Sequence, residues 1–223
     1  MNTLDSRTLR LGDCFGQRFP IAGSVRYFVT AGGIFPGAET RSDGGYLISV
    51  KPAPKGGAPN QHNVVVSRKD NALVVTPAEL EIQVGDGVLW HTTDASLAGF
   101  HVSGAGQDSK SKDFRFDSAR IQQDALYTHV FGVPGMYEWS DPNGSGVAGS
   151  VEVESATPSN DEERDRWYEM LKKPAGFEIQ GKVTKPRKVK ITVGQTVFWS
   201  IQKSTGMAIT DVRFMATPPA GKA

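Results

Sequence analysis

The chain has 223 residues, with 25 Lys+Arg against 24 Asp+Glu, a formal net charge of +1. That balance gives no global electrostatic drive toward nucleic acid or an anionic membrane, and no apolar run approaches the ~18 residues that span a bilayer. Hydrophobic residues at 38%, with 11 Phe, 5 Tyr and 4 Trp, exclude wholesale disorder, and the single cysteine, Cys14, excludes an internal disulfide and any multi-cysteine metal centre.

Met1–Arg10 has no apolar core of the roughly 7–15 residues that a secretory signal needs, so a cytoplasmic location is the expectation. Beyond it, 25 Gly and 13 Pro bound short alternating runs, the punctuation of an all-β protein. In chain order the predicted strands are Val25–Thr30, Tyr46–Val50, Asn63–Ser67, Leu80–Val84, Val88–Thr92, Leu126–Phe131, Met136–Ser140, Ser150–Glu154, Lys188–Val193, Val197–Ile201 and Ala208–Phe214. Pro52–Asn60 reads as a Pro/Gly linker. One segment, 161–173, has helical period: Asp161, Glu162 and Glu163 open it, Lys172 and Lys173 close it, and Trp167, Met170 and Leu171 share a face. The basic run Lys182–Lys190 reads as a solvated strand edge, and Gly104–Phe114 as a polar loop.

The chain repeats itself. Phe15, Phe19, Gly23, Val25 and Tyr27 match Tyr127, Phe131, Gly135, Tyr137 and Trp139 at one constant offset. Pro77, Ile82, Val84, Gly85, Val88 and Trp90 match Pro186, Ile191, Val193, Gly194, Val197 and Trp199 at another. The central stretch carries both patterns and each end carries one. A lone half would expose an apolar sheet face and open edges, so each end needs a complement. The expectation is an intact central unit at 64–155, a connector helix at 156–175, and a circularly permuted unit closed from 1–55 plus 176–223. Exchange of halves between chains, giving a domain-swapped homo-oligomer, is the alternative.

The central motifs Val84-Gly-Asp-Gly-Val-Leu-Trp90, His101, Phe131-Gly-Val-Pro-Gly-Met-Tyr-Glu-Trp139 and Gly149-Ser-Val-Glu-Val153 resemble the cupredoxin family, of the plastocyanin and halocyanin type. The resemblance implies two Greek-key β-sandwiches and, in the family, a copper ion held by two histidines, a cysteine thiolate and a methionine. Here His101 stands at the first position, but Ser140 replaces the cysteine, Asn143 the second histidine and Val147 the methionine; in the permuted unit Met207 stands at the first histidine. No blue-copper centre is expected, and no cofactor.

The expected function is that of a copper-free binding, scaffold or assembly subunit, with a protein partner or self-assembly, working through loop ends that include Phe35, Pro36, Phe100, His101, Pro142 and Asn143. Two alternatives stay open. His101, Asp141 and His91 could form a non-blue metal site, and Ser140, His101 and Asp141 could converge as an activated nucleophile in a small hydrolase-like enzyme. Cys14 and His129 read as interior structural residues.

Overall fold

In the computed structural model of the protein, which describes residues 3–32, 45–70, 72–107 and 113–215, the alternating segments pair into three larger sheets and one small one. The first half of the chain supplies β1 (Asp13–Arg18), β2 (Gly23–Ala31), β3 (Tyr46–Lys51), β4 (Gln61–Lys69), β5 (Ala72–Thr76), β6 (Glu79–Gln83), β7 (Gly87–His91), β8 (Phe100–Gln107) and β9 (Asp113–Asp117). The second supplies β10 (Ile121–Gln122), β11 (Ala125–Val130), β12 (Gly135–Ser140), β13 (Ala148–Glu154), helix α1 (Asp161–Leu171), β14 (Ala175–Gln180), β15 (Val183–Lys185), β16 (Lys188–Thr192), β17 (Thr196–Lys203), β18 (Thr205–Met207) and β19 (Thr210–Asp211). Among the described residues the fold is all-β apart from α1 and one 3-10 turn at Val212–Phe214.

One sheet runs β15-β14-β17-β11-β1-β7-β4-β5. Its order reads the same from either edge once each strand is matched to its repeat, because β1 and β11, β7 and β17, β4 and β14, and β5 and β15 are equivalent. The two central strands are antiparallel, with Phe15 opposite Tyr127, Gly16 opposite Leu126 and Cys14 opposite Thr128. Phe15 and Tyr127 are themselves repeat equivalents, so a local two-fold passes between them. The sheets β6-β3-β2-β8-β9 and β16-β13-β12-β19 complete the two halves.

Alternation builds each core. In the first half Trp90 lies 5.1 Å from Phe116 and 5.5 Å from Tyr27, ring centre to ring centre, joining β7 to β9 and β2. In the second, Trp199 of β17 meets Trp139 of β12 at 5.9 Å and Phe177 of β14 at 5.5 Å. All six of these rings are 0–2% exposed. Each buried aromatic of this kind contributes roughly 2–3 kcal/mol of transfer free energy, an upper bound against a real unfolded chain.

The pairing corrects the expected domain division. The 1–55 segment does not close on 176–223 through its strands. Instead β1 pairs with β7, and β3 with β6, so the N-terminal strands are completed by 61–117. Likewise β11 pairs with β17 and β13 with β16, so the strands of 125–154 are completed by 175–211. The 64–155 stretch is therefore split between two units, and the repeat is a plain tandem. Chain closure explains the choice: each half meets its complement across the connector 52–60 or the helical connector 155–174, at lower loop-closure cost than joining the two chain ends.

Helix α1 forms where expected. Asn160 caps it, its Oδ1 accepting from the Glu163 N–H at 2.9 Å, while Glu163 accepts from the Ser159 N–H at 2.8 Å. Trp167 and Leu171 lie over Gly194, and the Trp167 indole donates to the Val193 carbonyl at 3.0 Å, which docks the helix beside β16. Among the described residues no helix is long and apolar enough to cross a membrane.

Deleting 176–223 separates the two arrangements. The tandem predicts that amide exchange leaves β1–β9 protected and strips protection from β11–β13. Loss of protection in β1–β3 would restore the closure between chain ends.

Candidate functional site

Where β1 and β11 meet, their strand ends leave a groove of about 630 Å3 that draws its walls from both halves. Gly16 makes its floor. A Cβ there would lie 2.5 Å from Leu89 Cδ2, so glycine allows Leu89 to lie across β1, next to Leu126. Arg18 and Asp124 are exposed at the rim, with Asn60, Gln61 and Gln202. Asp124 sits at φ 61°, a left-handed turn conformation that Asp tolerates better than most residues. Its carbonyl accepts from the Arg18 N–H at 2.9 Å, which fixes the β10–β11 turn against β1. Gln17, 3% exposed, closes this end of the seam by donating to the Arg18 carbonyl at 3.0 Å and toward those of Gln123 and Asp124.

The opposite wall is held by Asp86. Its Oδ1 accepts from the Asn60 N–H at 2.7 Å; its Oδ2 accepts from the Gln83 N–H at 2.9 Å and meets His62 Nε2 at 2.9 Å. Desolvation pushes the Asp86 carboxyl up, but these partners outweigh it and hold the group below the ordinary carboxylate range. In the second half Gln195 does the same work with an amide. It accepts from the Thr192 N–H at 3.2 Å and donates to the Lys173 carbonyl at 2.9 Å. Sequence reading saw the Val-Gly-Asp motif but not this role, nor His62. The signal available was the presence of a hydrogen-bonding residue, Asp86 or Gln195, at the same place in both repeats.

At the other end of the seam a carboxylate is buried. Asp13 Oδ1 accepts from the Tyr127 hydroxyl at 2.9 Å and meets His129 Nδ1 at 2.6 Å, while its Oδ2 accepts from the Arg10 N–H at 2.8 Å. His129 is 4% exposed and its Nε2 has no partner. Burial first, then Asp13, drives the Tyr127 phenol far above its ordinary value. The same two causes push the Cys14 thiol up to about 12, which leaves it inert as a nucleophile near neutrality. This cluster binds the halves together and is closed to solvent.

The residues singled out from sequence do not assemble. Ser140 lies on β12 of the second half, its hydroxyl 2.9 Å from Met215 Sδ. His101 lies on β8 of the first half, its Nε2 2.8 Å from Asp117 Oδ1. The expected convergence presumed that both belong to one unit, and the tandem pairing puts them in two. Desolvation pushes Asp117 up, but His101 and backbone N–H groups hold it below the ordinary carboxylate range. Asp141 is 5% exposed and occupied: it accepts from the N–H groups of Asn143, Ser145 and Ala208. His91 pairs in register with Cys14 and Val65 on β7. Among the described residues no three of His, Cys, Asp and Glu cluster to hold a metal ion.

The loop ends offered as binding surface differ in fate. Phe100 is 0% exposed and bonds backbone-to-backbone with Leu9 in both directions, at 2.8 and 2.9 Å. Pro142 is half-buried and Asn143 exposed. Phe35 and Pro36 lie outside the described residues. Leu4 and Leu9, both fully buried, carry a strap that reaches both halves, through Asp5 to Thr210 and Leu9 to Phe100.

Asp86→Asn removes the charged acceptor that holds one groove wall, at a cost of about 1–3 kcal/mol at neutral pH. Because the folded group titrates below its unfolded counterpart, that contribution is complete above the unfolded carboxylate range and fades as pH falls through the folded value. Urea unfolding at pH 7 and in acid checks this: the gap between the two proteins should shrink in acid, and a constant gap would contradict the account. Comparison with protein-family models, with curated proteins and with solved structures finds no match.

Proposed function

We propose that the chain is a non-catalytic binding subunit, built from two cupredoxin-like Greek-key sandwiches without the copper ligands, and that its site is the groove between them. The observation that carries the reading is the groove itself. Both halves build it, and its walls are fixed by the Gln17, Asp86 and Asp124 contacts.

The lining suggests the occupant. Leu89 and Leu126 offer an apolar floor, Asn60, Gln61 and Gln202 offer amides that both donate and accept, and Arg18 and Asp124 balance in charge. No aromatic ring lines the groove among the described residues, so the stacking platform that favours sugars and bases is missing. An extended polypeptide segment fits: side chains on one side meet the leucines and its backbone groups meet the amides.

The residues do not fit a copper ion. On the family pattern, His101 would share its half with the β2–β3 loop, and Ala31–Gly45 contains no cysteine or histidine. Ser140, Asn143, Val147 and Met207 would share the other, where Met207 offers only a weak thioether. There the Asp141 carboxylate ties the 141–147 loop to Ala208 through hydrogen bonds, the tethering role that an ion would have.

Selection of linear peptides from a displayed library against the whole protein tests the reading. Peptides with alternating apolar residues should bind, and Leu126→Asp should weaken them at least about tenfold with the fold retained by circular dichroism. Binding untouched by Leu126→Asp would remove the groove from the account, and an intense blue band on adding Cu(II) would replace it with the metal reading.

A further inference from the structure

The eight-stranded sheet ends in two equivalent edges that the sequence treats differently. An edge strand presents backbone N–H and C=O groups with no partner within the sheet, and chains commonly blunt it with lysine or shorten it. β15 is three residues long, ends in the exposed Lys185 and is flanked by the exposed Lys182 and Arg187. β5, its counterpart, is Ala72-Leu-Val-Val-Thr76, five residues with no charge. Leu73 and Val75 face the core and Val74, half-buried, faces out. One edge is blunted with charge, and the other carries no charge along its strand and meets only the Tyr46 hydroxyl, 3.5 Å from the Leu73 carbonyl.

We propose that β5 is the docking edge for a second copy of this chain, paired antiparallel about a two-fold at Val74. That register sets Ala72 opposite Thr76, Leu73 opposite Val75 and Val74 opposite itself, so no charged or bulky pair clashes along the ladder. The flanks favour the same occupant. Arg68, Lys69 and Asp70 precede the strand and leave that end net basic, Glu79 and Glu81 follow it, and all five are exposed, with Glu81 also 3.5 Å from Lys51. An antiparallel copy brings the basic end of one chain to the acidic end of the other, at both ends of the ladder. Pairing β5 with β15 of another chain would instead set Arg68 and Lys69 among the cations around β15. The contact is isologous and uses up the open edge of each copy, so it stops at two. With five residue pairs it is smaller than a standard interface, so the dimer is weak and concentration-dependent.

Sedimentation equilibrium on the full chain, from about 1 μM to about 1 mM, tests this. The wild type should pass from monomer to dimer. Val74→Lys, which places two ammonium groups face to face on the solvent side, should raise the dissociation constant at least about tenfold with the circular dichroism unchanged. Lys69→Glu and Glu79→Lys should each weaken the dimer, and the double variant should recover it. A wild type that stays monomeric at the top concentration would overturn the proposal. So would a dimer indifferent to Val74→Lys, or a double variant weaker than both singles.

Discussion

The β1–β11 ladder is the constraint on which the rest of the molecule depends. Two equivalent strands, one from each repeat, pair antiparallel with Phe15 against Tyr127 at the centre. Each is thereby removed from an edge, where it would be a template for association, and placed inside an eight-stranded sheet. The ladder's ends have diverged. At one, Asp13 is out of water and is tolerable only because Tyr127, His129 and the Arg10 N–H surround it. At the other, the repeat equivalents are Ala125 and Gln17, and the glutamine amide seals the turn by bonding backbone carbonyls. The closed end holds the halves together, while the open end leaves the groove. A site built across a joint needs the joint to be rigid.

The two repeats solve one local problem with different chemistry. Each half must bring an incoming connector to the turn before β7 or its equivalent β17. Asp86 does it with a carboxylate that accepts from Asn60 and Gln83, and Gln195 with an amide that accepts from Thr192 and donates to Lys173. The first arrangement depends on pH and the second does not. The same divergence separates the blunted β15 edge from the open β5 edge, so the halves share a frame but not a surface.

Much of the frame was legible in the sequence because alternation is a local property. Val25, Tyr27 and Val29 face inward along β2, and Tyr127, His129 and Phe131 do so from β11 onward, with His129 interior as read. β8 and β9 were missed because Gly104 and Gly106 look like loop punctuation. In the fold they are glycines by necessity: a Cβ on Gly104 would lie 2.5 Å from the Phe116 ring, and one on Gly106 would lie 2.5 Å from the Ser24 carbonyl. Ala208–Phe214 was read as one strand, but Asp211 ends β19 and caps the 3-10 turn through the Arg213 N–H at 2.9 Å. The repeat itself was found and its partners were misassigned. Both pairings bury the same apolar faces, and composition does not separate them; the short connectors do. The candidate site was least legible. The groove is an emergent gap between strand ends from five parts of the chain, and its floor, Gly16, carries no chemical signal.

The claim that two equivalent strands meet at the middle of one sheet is tested most directly by proton NMR of the full chain. Cross-strand nuclear Overhauser effects should connect Gly16 with Leu126 and Phe15 with Tyr127, alongside those from Phe15 to Trp90. If β1 shows contacts to β7 alone, or to strands within 175–211 in place of β11, the sheet is not continuous through its centre and the account fails.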